Sequence, residues 1–180
     1  MWRTLSYYFR VMYNVVYLPL VVILNCGKLK YAGVQKISSK AKLSIEHGGV
    51  IRLGRRCMFE ENVLIHSAGG EIEFGEKVFI NRNTTVVSQE KIIFGDHVTI
   101  GPNVCIYDHD HDVKHWNKFI SSPVTIGRNV WIGAGAIILK GVTIGDNCII
   151  GAGSFVNKNI PPNSVYYTEK NNKIIKIEEK

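Results

Sequence analysis

The chain has 180 residues, of which 46% are hydrophobic and 21% charged, so its composition excludes a disordered chain and allows one domain with a sizeable core. The net charge of +7 is unevenly distributed: residues 1–60 contain ten Lys and Arg against two Glu, whereas the rest contain twelve against thirteen Asp and Glu. A charge excess confined to one end predicts an anionic surface or ligand at that end and no nucleic-acid partner.

Residues 1–32 form the first predicted segment, which is short, helical, apolar and basic. Its run VMYNVVYLPLVVIL is broken by Pro19 and, at 14 residues, is shorter than the roughly 20 residues that cross a bilayer. Three interpretations stay open. The segment is a helix packed on the rest of the protein, a helix that lies on a membrane surface between flanking basic residues, or a secretory signal, although no A-x-A-like cleavage site follows.

A six-residue repeat occupies residues 33–165. Apolar residues recur at intervals of six within successive triplets, at Leu53, Phe59 and Ile65, at Phe74, Ile80 and Val86, at Phe94, Ile100 and Ile106, and then without interruption at Ile126, Ile132, Ile138, Ile144, Ile150 and Val156. A period of six fits neither a helix nor a simple strand alternation. It predicts triangular coils in which each hexad is one short strand followed by a turn.

Insertions into the repeat occur only between the third hexad of one coil and the first hexad of the next, so all of them should leave the prism at the same corner. The longest insertion gives a loop at 107–121, which we expect to be functional. It contains the sequence YDHDHDVKHW, with three histidines. Residues 166–180 are predicted to form a charged C-terminal tail.

The four cysteines, Cys26, Cys57, Cys105 and Cys148, are far apart and form no CxxC pair. This spacing argues against a disulfide framework or a structural zinc site, and it favours reduced thiols in a cytoplasmic protein.

The repeat resembles the left-handed parallel β-helix of the hexapeptide-repeat acyltransferases. The stretch from IYDHDHDVK through PVTIGRNVWIGAGAIILKGVTIGDNCIIGAGSFVNKNIPPN is most similar to the sugar O-acetyltransferases, such as the maltose and galactoside enzymes. The resemblance implies an all-β fold of about six coils with an N-terminal helical segment and a long catalytic loop. It also implies acetyl-CoA as co-substrate, no metal, and a homotrimer with active sites between adjacent prisms.

Seven positions match site residues of that family. The resemblance implies that His111 is the general base for direct acetyl transfer to a hydroxyl, and that Asn81 and Trp131 lie near the acceptor. It further implies that the acetyl-CoA channel is lined by Ala134, Ala152, Asn157 and Lys158. The sequence YYTEKNNKIIKI at 166–177 departs from the family pattern, which leaves the contacts with CoA at that end open.

Alternatives remain for several of these residues. His109 could be the base, because alternation would point it to the same side as His111 in an extended segment. Asn81 could serve only as a corner residue, and Trp131 only in packing. The three aspartates of the loop are expected to be solvated or to structure the loop, although one of them could pair with the histidine.

The predicted function is acetyl-CoA-dependent O-acetylation of a saccharide, which could be a surface polysaccharide, a lipid-linked sugar or a nucleotide-linked sugar. The predicted location is the cytoplasm, with possible peripheral contact to the inner face of the cell membrane through residues 1–32. Three alternatives are an N-acetyltransferase acting on an amino sugar, a zinc hydratase like the γ-class carbonic anhydrases, and a trimer without catalytic activity.

Overall fold

The computed structural model describes residues 2–169. One helix and 21 strands follow one another along the chain: α1 (Trp2–Leu24), β1 (Leu29–Tyr31), β2 (Lys36–Ile37), β3 (Lys42–Glu46), β4 (Val50–Leu53), β5 (Met58–Phe59), β6 (Leu64–Ala68), β7 (Glu71–Phe74), β8 (Phe79–Ile80), β9 (Thr85–Ser88), β10 (Lys91–Phe94), β11 (Thr99–Ile100), β12 (Cys105–Tyr107), β13 (His109–Asp112), β14 (His115–Ser121), β15 (Val124–Ile126), β16 (Trp131–Ile132), β17 (Ile137–Ile138), β18 (Thr143–Ile144), β19 (Ile149–Ile150), β20 (Phe155–Val156) and β21 (Val165–Tyr166).

Three parallel sheets form the faces of a triangular prism. Face 1 is β1-β4-β7-β10-β15-β18, face 2 is β2-β5-β8-β11-β16-β19-β21, and face 3 is β3-β6-β9-β12-β17-β20. From β1 to β12 and from β15 to β20, successive strands therefore belong to successive faces, and each strand pairs with its equivalent one coil away. The predicted stack of about six coils is confirmed. The turns between faces form three vertical edges, which we call corner 1/2, corner 2/3 and corner 3/1.

The interior of the prism is filled by the residues that keep the six-residue period. All fifteen of these positions from Leu53 to Val156 are at most 4% exposed. Their side chains stack between coils, as in the ring pair of Phe74 and Phe94, whose centroids are 4.6 Å apart. Close packing of aliphatic and aromatic groups along the axis leaves the turns as the places where the sequence can vary.

The corners require a left-handed backbone residue in most turns. At corner 1/2, Asn129 and Asn147 have φ of 56° and 57°, and at corner 2/3 Gly135 has φ of 67°. Asparagine and glycine tolerate this region better than other residues, which explains why the turns of the repeat are rich in both.

The β-helix begins earlier than the sequence indicated. Strand β1 starts at Leu29 and pairs with β4, with Leu29 opposite Ile51, so it already belongs to face 1. The start predicted from the repeat was about residue 33, because β1 supplies only one buried side chain, Leu29, which is too little to show a period of six.

Helix α1 covers the N-terminal end of the prism. Leu18 and Val21 are buried against the first coil. The buried Asn14 donates its side-chain N–H to the carbonyl oxygen of Ile37 at 2.8 Å. The helix therefore shields the first coil, whose strands would otherwise present an open edge.

Pro19 does not break this helix, in contrast to the sequence expectation. Proline removes one backbone donor, so only the bond to the Val15 carbonyl is lost, and packing against the prism stabilises the turns on both sides. The interpretation of residues 1–32 as a helix packed on the domain therefore describes α1. Within residues 2–169 no helix is long and apolar enough to cross a membrane.

A second anchor of α1 is an ion pair to the second coil. The guanidinium of Arg10 donates to both carboxylate oxygens of Glu60, at 2.8 and 2.9 Å. This pairing holds the pKa of Glu60 below its ordinary value, mainly through the hydrogen bonds from Arg10. Because the pKa of Glu60 is lower in the folded state than in the unfolded chain, the ion pair stabilises the fold above the ordinary carboxyl pKa. This stabilisation is lost as the pH falls through the lower, folded-state pKa.

We predict a coupling free energy of about 1 kcal/mol between Arg10 and Glu60 at pH 7, measured by urea denaturation of Arg10→Gln, Glu60→Gln and the double variant. The coupling should be lost when the pH is lowered from 7 to below the depressed pKa of Glu60, because protonation removes the ion pair. The more exposed pair of Lys40 and Glu61, at 3.4 Å, is the control and should show a smaller coupling at pH 7. Equal coupling of the Arg10 pair at both pH values would contradict the prediction.

Candidate active site

Residues 107–121 leave the prism at corner 3/1 and form a β-hairpin. Strands β13 and β14 pair antiparallel, with His109 opposite Ser121 and His111 opposite Phe119, and the register shifts after His111. The predicted loop at 107–121 thus contains two paired strands that the sequence did not indicate. The pattern His-Asp-His-Asp alternates two polar residue types, so the extended strand gives no hydrophobic alternation in the sequence.

One buried carboxylate holds the root of this hairpin. Asp108 is fully buried, and it accepts hydrogen bonds from the Ser88 hydroxyl at 2.7 Å and from the backbone N–H groups of Gln89 and Glu90 at 2.8 and 2.9 Å. Its Oδ1 also lies 3.0 Å from Nδ1 of His109. Both oxygens are therefore satisfied, which is the condition for keeping a carboxylate in the interior.

The sequence analysis missed the role of Asp108, although the sequence contained a signal for it. Ser67, Ser88 and Asp108 each come two residues after the last inward residue of their coil, and all three are fully buried. Because alternate residues of a strand point to the same side, each of them continues the inward row by one position. A polar residue at such a position indicates a built hydrogen-bond site at the corner.

The other two aspartates of the hairpin also have partners. Asp110 accepts a hydrogen bond from Nζ of Lys140, which ties the hairpin to the next coil. Asp112 accepts from the backbone N–H of Lys114 at 2.8 Å and lies 2.9 Å from Nδ1 of His115. The Lys114 N–H, followed by His115, lowers the pKa of Asp112 below its ordinary value. The aspartates therefore structure the hairpin.

The three histidines occupy different environments. The side chain of His109 is 13% exposed and contacts Asp108. The ring of His111 is exposed and lies 4.7 Å from that of Phe119, centroid to centroid. Neither ring nitrogen of His111 has a hydrogen-bond partner in the part of the chain that the structure describes. His115 is 59% exposed and pairs with Asp112. Of the three hairpin histidines, only His111 has both ring nitrogens without a hydrogen bond to the described residues.

A groove at corner 2/3 brings together four of the seven predicted site residues, Asn81, Trp131, Ala134 and Ala152. Its volume is about 480 Å³, and apolar side chains and turn backbone form most of its lining. Trp131 is 56% exposed, so packing within this chain does not explain it.

The amide of Asn81 is partly used by its own turn. Its Oδ1 accepts the backbone N–H of Arg82 at 2.8 Å, which is the corner role considered above. The same side chain lines the groove, and its Nδ2 is the group that remains to donate.

Close stacking of turns shapes the floor of the groove. A Cβ on Gly133 would lie 2.5 Å from the backbone nitrogen of Ala152, so the two coils approach as they do only because residue 133 is glycine. The backbone N–H groups of Ala134 and Ala152 take no part in the backbone hydrogen bonds of the described residues. These two donors therefore remain for a ligand.

Asn157 and Lys158 lie elsewhere, at corner 3/1, directly after β20 and on the same edge as the hairpin. Nζ of Lys158 is 5.7 Å from the ring centroid of Tyr166. The structure thus places the predicted site residues on two corners, and the width of face 3 separates His111 from the groove. The described residues include no group of three His, Cys, Asp or Glu side chains that could hold a metal ion. Residues 170–180 of the predicted tail lie outside the described residues.

Comparison with known proteins identifies relatives. Residues 123–158 match the family model described as bacterial transferase hexapeptide (six repeats). A galactoside O-acetyltransferase from Lactococcus lactis subsp. lactis is 39% identical over 119 residues, which are 64% of this chain and 58% of the relative. The chain therefore spans less than two thirds of the length of that curated relative.

Two solved structures extend the comparison over most of the chain. A maltose O-acetyltransferase from Clostridium difficile 630 is 34% identical, covers 98% of this chain and 84% of its own, and gives a TM-score of 0.53. The second structure is AntD, an N-acyltransferase from Bacillus cereus in complex with dTDP and 3-hydroxybutyryl-CoA. Its TM-score is 0.69 at 24% identity, and the match covers 81% of this chain and 82% of its own. At this identity the similarity bears on the fold alone. The fold is thus the expected left-handed parallel β-helix, and the chain belongs to the hexapeptide-repeat acyltransferases.

Proposed function

We propose that this protein is an acetyl-CoA-dependent O-acetyltransferase that acts on a hydroxyl group of a saccharide. The observation that carries the proposal is the division of the site between two corners: an exposed histidine on a braced hairpin at one, and an apolar groove with free backbone donors at the other. The relatives named galactoside and maltose O-acetyltransferase support the same reaction and acceptor class.

The groove at corner 2/3 suits the pantetheine arm of acetyl-CoA, which is a long and narrow chain with amide groups. The stacked turns offer an apolar wall, and the N–H groups of Ala134 and Ala152 can bind the amide oxygens of the arm or the oxygen of the thioester. A backbone N–H aimed at that oxygen would stabilise the tetrahedral intermediate. At corner 3/1, Asn157 and Lys158 would contact the nucleotide end, with Lys158 near its phosphates.

His111 is the proposed general base. Its imidazole takes the proton from the acceptor hydroxyl as the oxygen attacks the thioester carbonyl, and it returns that proton to the departing CoA thiolate. No acyl-enzyme is needed in this scheme. Cys57 and Cys148 are buried, and burial raises the pKa of the Cys57 thiol to about 12, so its nucleophilic thiolate is not formed near neutral pH.

His109 is the alternative base, since a carboxylate holds its ring as in many catalytic pairs. The Nδ1 of His109 is engaged by Asp108, and its ring is packed edge-on against Tyr107 and Phe119. This packing limits access for a saccharide. His111, two residues further out on the hairpin, is exposed, and the family resemblance assigns the role to the same residue.

The acceptor would bind beside the acetyl group. The exposed indole of Trp131 provides an aromatic surface for the apolar side of a sugar ring, and Nδ2 of Asn81 can donate to one of its oxygens. We propose the cytoplasm as the location of this reaction. Surface-polysaccharide precursors and lipid-linked or nucleotide-linked sugars are the candidate acceptors.

A complete site would require a second copy of the chain. Corner 3/1 of one prism, with its hairpin, would face corner 2/3 of the next, and three copies related by cyclic symmetry would close three such sites. We therefore propose a homotrimer.

We predict that His111→Ala lowers kcat for acetyl transfer about 100-fold or more, because proton transfer by a positioned base contributes that much. The measurement is release of the CoA thiol across a panel of hydroxyl sugars and amino sugars. His115→Ala, on the same hairpin and exposed, is the matched control and should retain most of the activity.

Other outcomes of this assay identify the alternatives. Full activity of His111→Ala together with loss in His109→Ala would make His109 the base. Transfer only to amino sugars would establish an N-acetyltransferase. Failure to bind acetyl-CoA would leave a structural trimer, and stoichiometric zinc with hydratase activity would establish a carbonic anhydrase-like enzyme.

For the assembly, light scattering should give a species of three times the 20.2 kDa of the chain. Mixing inactive His111→Ala with an inactive groove variant, Ala152→Trp, should restore part of the activity, because some sites would combine an intact hairpin with an intact groove. A 20.2 kDa species with full activity would contradict the proposal.

Asp108 is proposed as a positioning residue for the hairpin. Asp108→Asn places an NH₂ group against backbone donors, so we expect a loss of stability of about 2 kcal/mol and faster hydrogen exchange at 109–121. kcat should fall about tenfold with little change in the KM for acetyl-CoA, since the groove is on another corner. Glu76→Gln, at an exposed carboxylate away from the hairpin, is the control. A change confined to KM would contradict the positioning role.

A further inference from the structure

Helix α1 has a second apolar face, whose side chains are more than half exposed. The large apolar side chains of this face are between 52% and 80% exposed: Tyr8, Phe9, Met12, Val15, Val16, Leu20, Ile23 and Leu24. Pro19 lies within the same arc and is also exposed. At 100° per residue these positions lie on the side of the helix opposite Leu18 and Val21, which are buried against the prism. None of the nine is charged.

This pattern is the reverse of that expected for a surface helix. A helix that covers a domain end buries one apolar stripe and presents charged and polar residues to water. Here the outer arc is as apolar as the inner one over about four turns, which is a continuous exposed patch of the kind that marks an interaction surface. The face therefore requires a partner with apolar character.

Cations surround this face. Lys28 and Lys30 follow the helix directly, and Arg55 and Arg56 lie at a neighbouring turn; all four are exposed, and none has a carboxylate partner among residues 2–169. A groove of about 310 Å³ beside the helix is lined by Tyr8, Val11 and Val34 together with Lys36 and Arg56, so apolar and cationic groups meet at its edge.

We propose that α1 docks this protein on the surface of an anionic lipid bilayer. The helix would lie in the plane of the interface with its outer arc among the acyl chains, while the surrounding lysines and arginines contact anionic headgroups. The excess of Lys and Arg in residues 1–60 would then lie beside the lipid headgroups, where the negative surface potential of the bilayer attracts it. This inference does not depend on the acetyl-transfer activity proposed above.

A second copy of the chain is a poorer occupant of this face. Two copies that packed through α1 would bring their cationic ends together, and like charges in contact oppose association. A bilayer that contains anionic lipid offers both an apolar phase and the opposite charge.

Docking through α1 would orient the whole molecule. Since the helix covers the end of the prism and its free face points away from the coils, the prism axis would stand along the membrane normal. Trp131 is four coils from the first coil, which is roughly 19 Å at 4.8 Å per coil. The proposed site would thus be held at a fixed height above the lipid surface, and a cyclic trimer about the same direction would place three α1 faces on one side.

The test is co-sedimentation of the full chain with vesicles of phosphatidylcholine alone and with 30% phosphatidylglycerol. We expect the parent chain to bind the anionic vesicles. The triple variant Phe9→Gln, Val16→Gln, Ile23→Gln should bind them at least about tenfold more weakly than the parent. The matched control replaces three other exposed apolar residues, Val113→Gln, Val165→Gln and Tyr167→Gln, and should bind like the parent.

The electrostatic part is tested by a second pair of variants with equal loss of charge. Binding to the anionic vesicles should weaken about tenfold or more in the quadruple variant Lys28→Gln, Lys30→Gln, Arg55→Gln, Arg56→Gln. Addition of 0.5 M salt should weaken binding of the parent to a similar extent. The control replaces four exposed cations of the hairpin and of the coils farthest from α1, and it should have little effect: Lys114→Gln, Lys118→Gln, Arg128→Gln and Lys158→Gln.

A reporter keeps the test valid if the triple variant fails to fold. A solvent-sensitive fluorophore at Val16→Cys, in a chain with Cys26→Ser, should shift to the blue on anionic vesicles, whereas the same probe at Val165→Cys should not. Equal binding by the parent and the triple variant, or no binding and no shift, would overturn the proposal. Self-association lost in the triple variant, without vesicle binding, would show that a second copy covers this face.

Discussion

The structure depends on one constraint: each short strand must place one aliphatic or phenylalanine side chain into the axis of the prism. The interior has room for three such groups per coil, and coils stack at the strand spacing, so the side chains of successive coils touch. A hexad satisfies this requirement with two strand residues and a turn. The period of six, the two-residue strands and the left-handed turn residues are all consequences of it.

Apolar side chains fill the interior of the described coils, so ligand sites are expected on the corners. Stacked turns at corner 2/3 repeat the same backbone geometry, and glycine at 133 lets the coils approach until only a narrow groove with free N–H groups remains outside. At corner 3/1 an insertion can leave without disturbing the stack, provided that its root is fixed. The buried carboxylate of Asp108 fixes it, using donors from the coil below.

The features that follow from the period could be predicted from the sequence. The faces, the common corner of the insertions and the buried positions all derive from one hydrophobic pattern, because burial of a side chain at every sixth residue is visible in a single sequence. The hairpin could not be predicted, since the strand His109–Asp112 alternates between two polar residue types. The burial of Asp108 does not follow from its residue type, because an aspartate in a polar loop is expected to be solvated. Only its place in the alternation of the strand indicates that its side chain points inward.

The same reasoning explains why the site residues divide between two corners. Sequence similarity assigns roles to positions but contains no information on which edge of the prism each position occupies. That information comes from counting hexads: Asn81, Ala134 and Ala152 follow face 2, whereas His111 and Lys158 follow face 3. A base and a groove on different edges of a rigid prism cannot meet within one chain, so assembly becomes part of the proposed chemistry.

The open end of the prism connects this architecture with location. A β-helix exposes the backbone edge of its first coil, and α1 covers that edge with one apolar side while leaving the other apolar side free. Polar residues on the outer side would have been sufficient for capping alone. Their absence indicates that the cap also serves as a contact surface. The same is indicated by four exposed cations that have no carboxylate partner among residues 2–169, Lys28, Lys30, Arg55 and Arg56. The stacking axis would then set the distance between that surface and the corners where acetyl transfer is proposed.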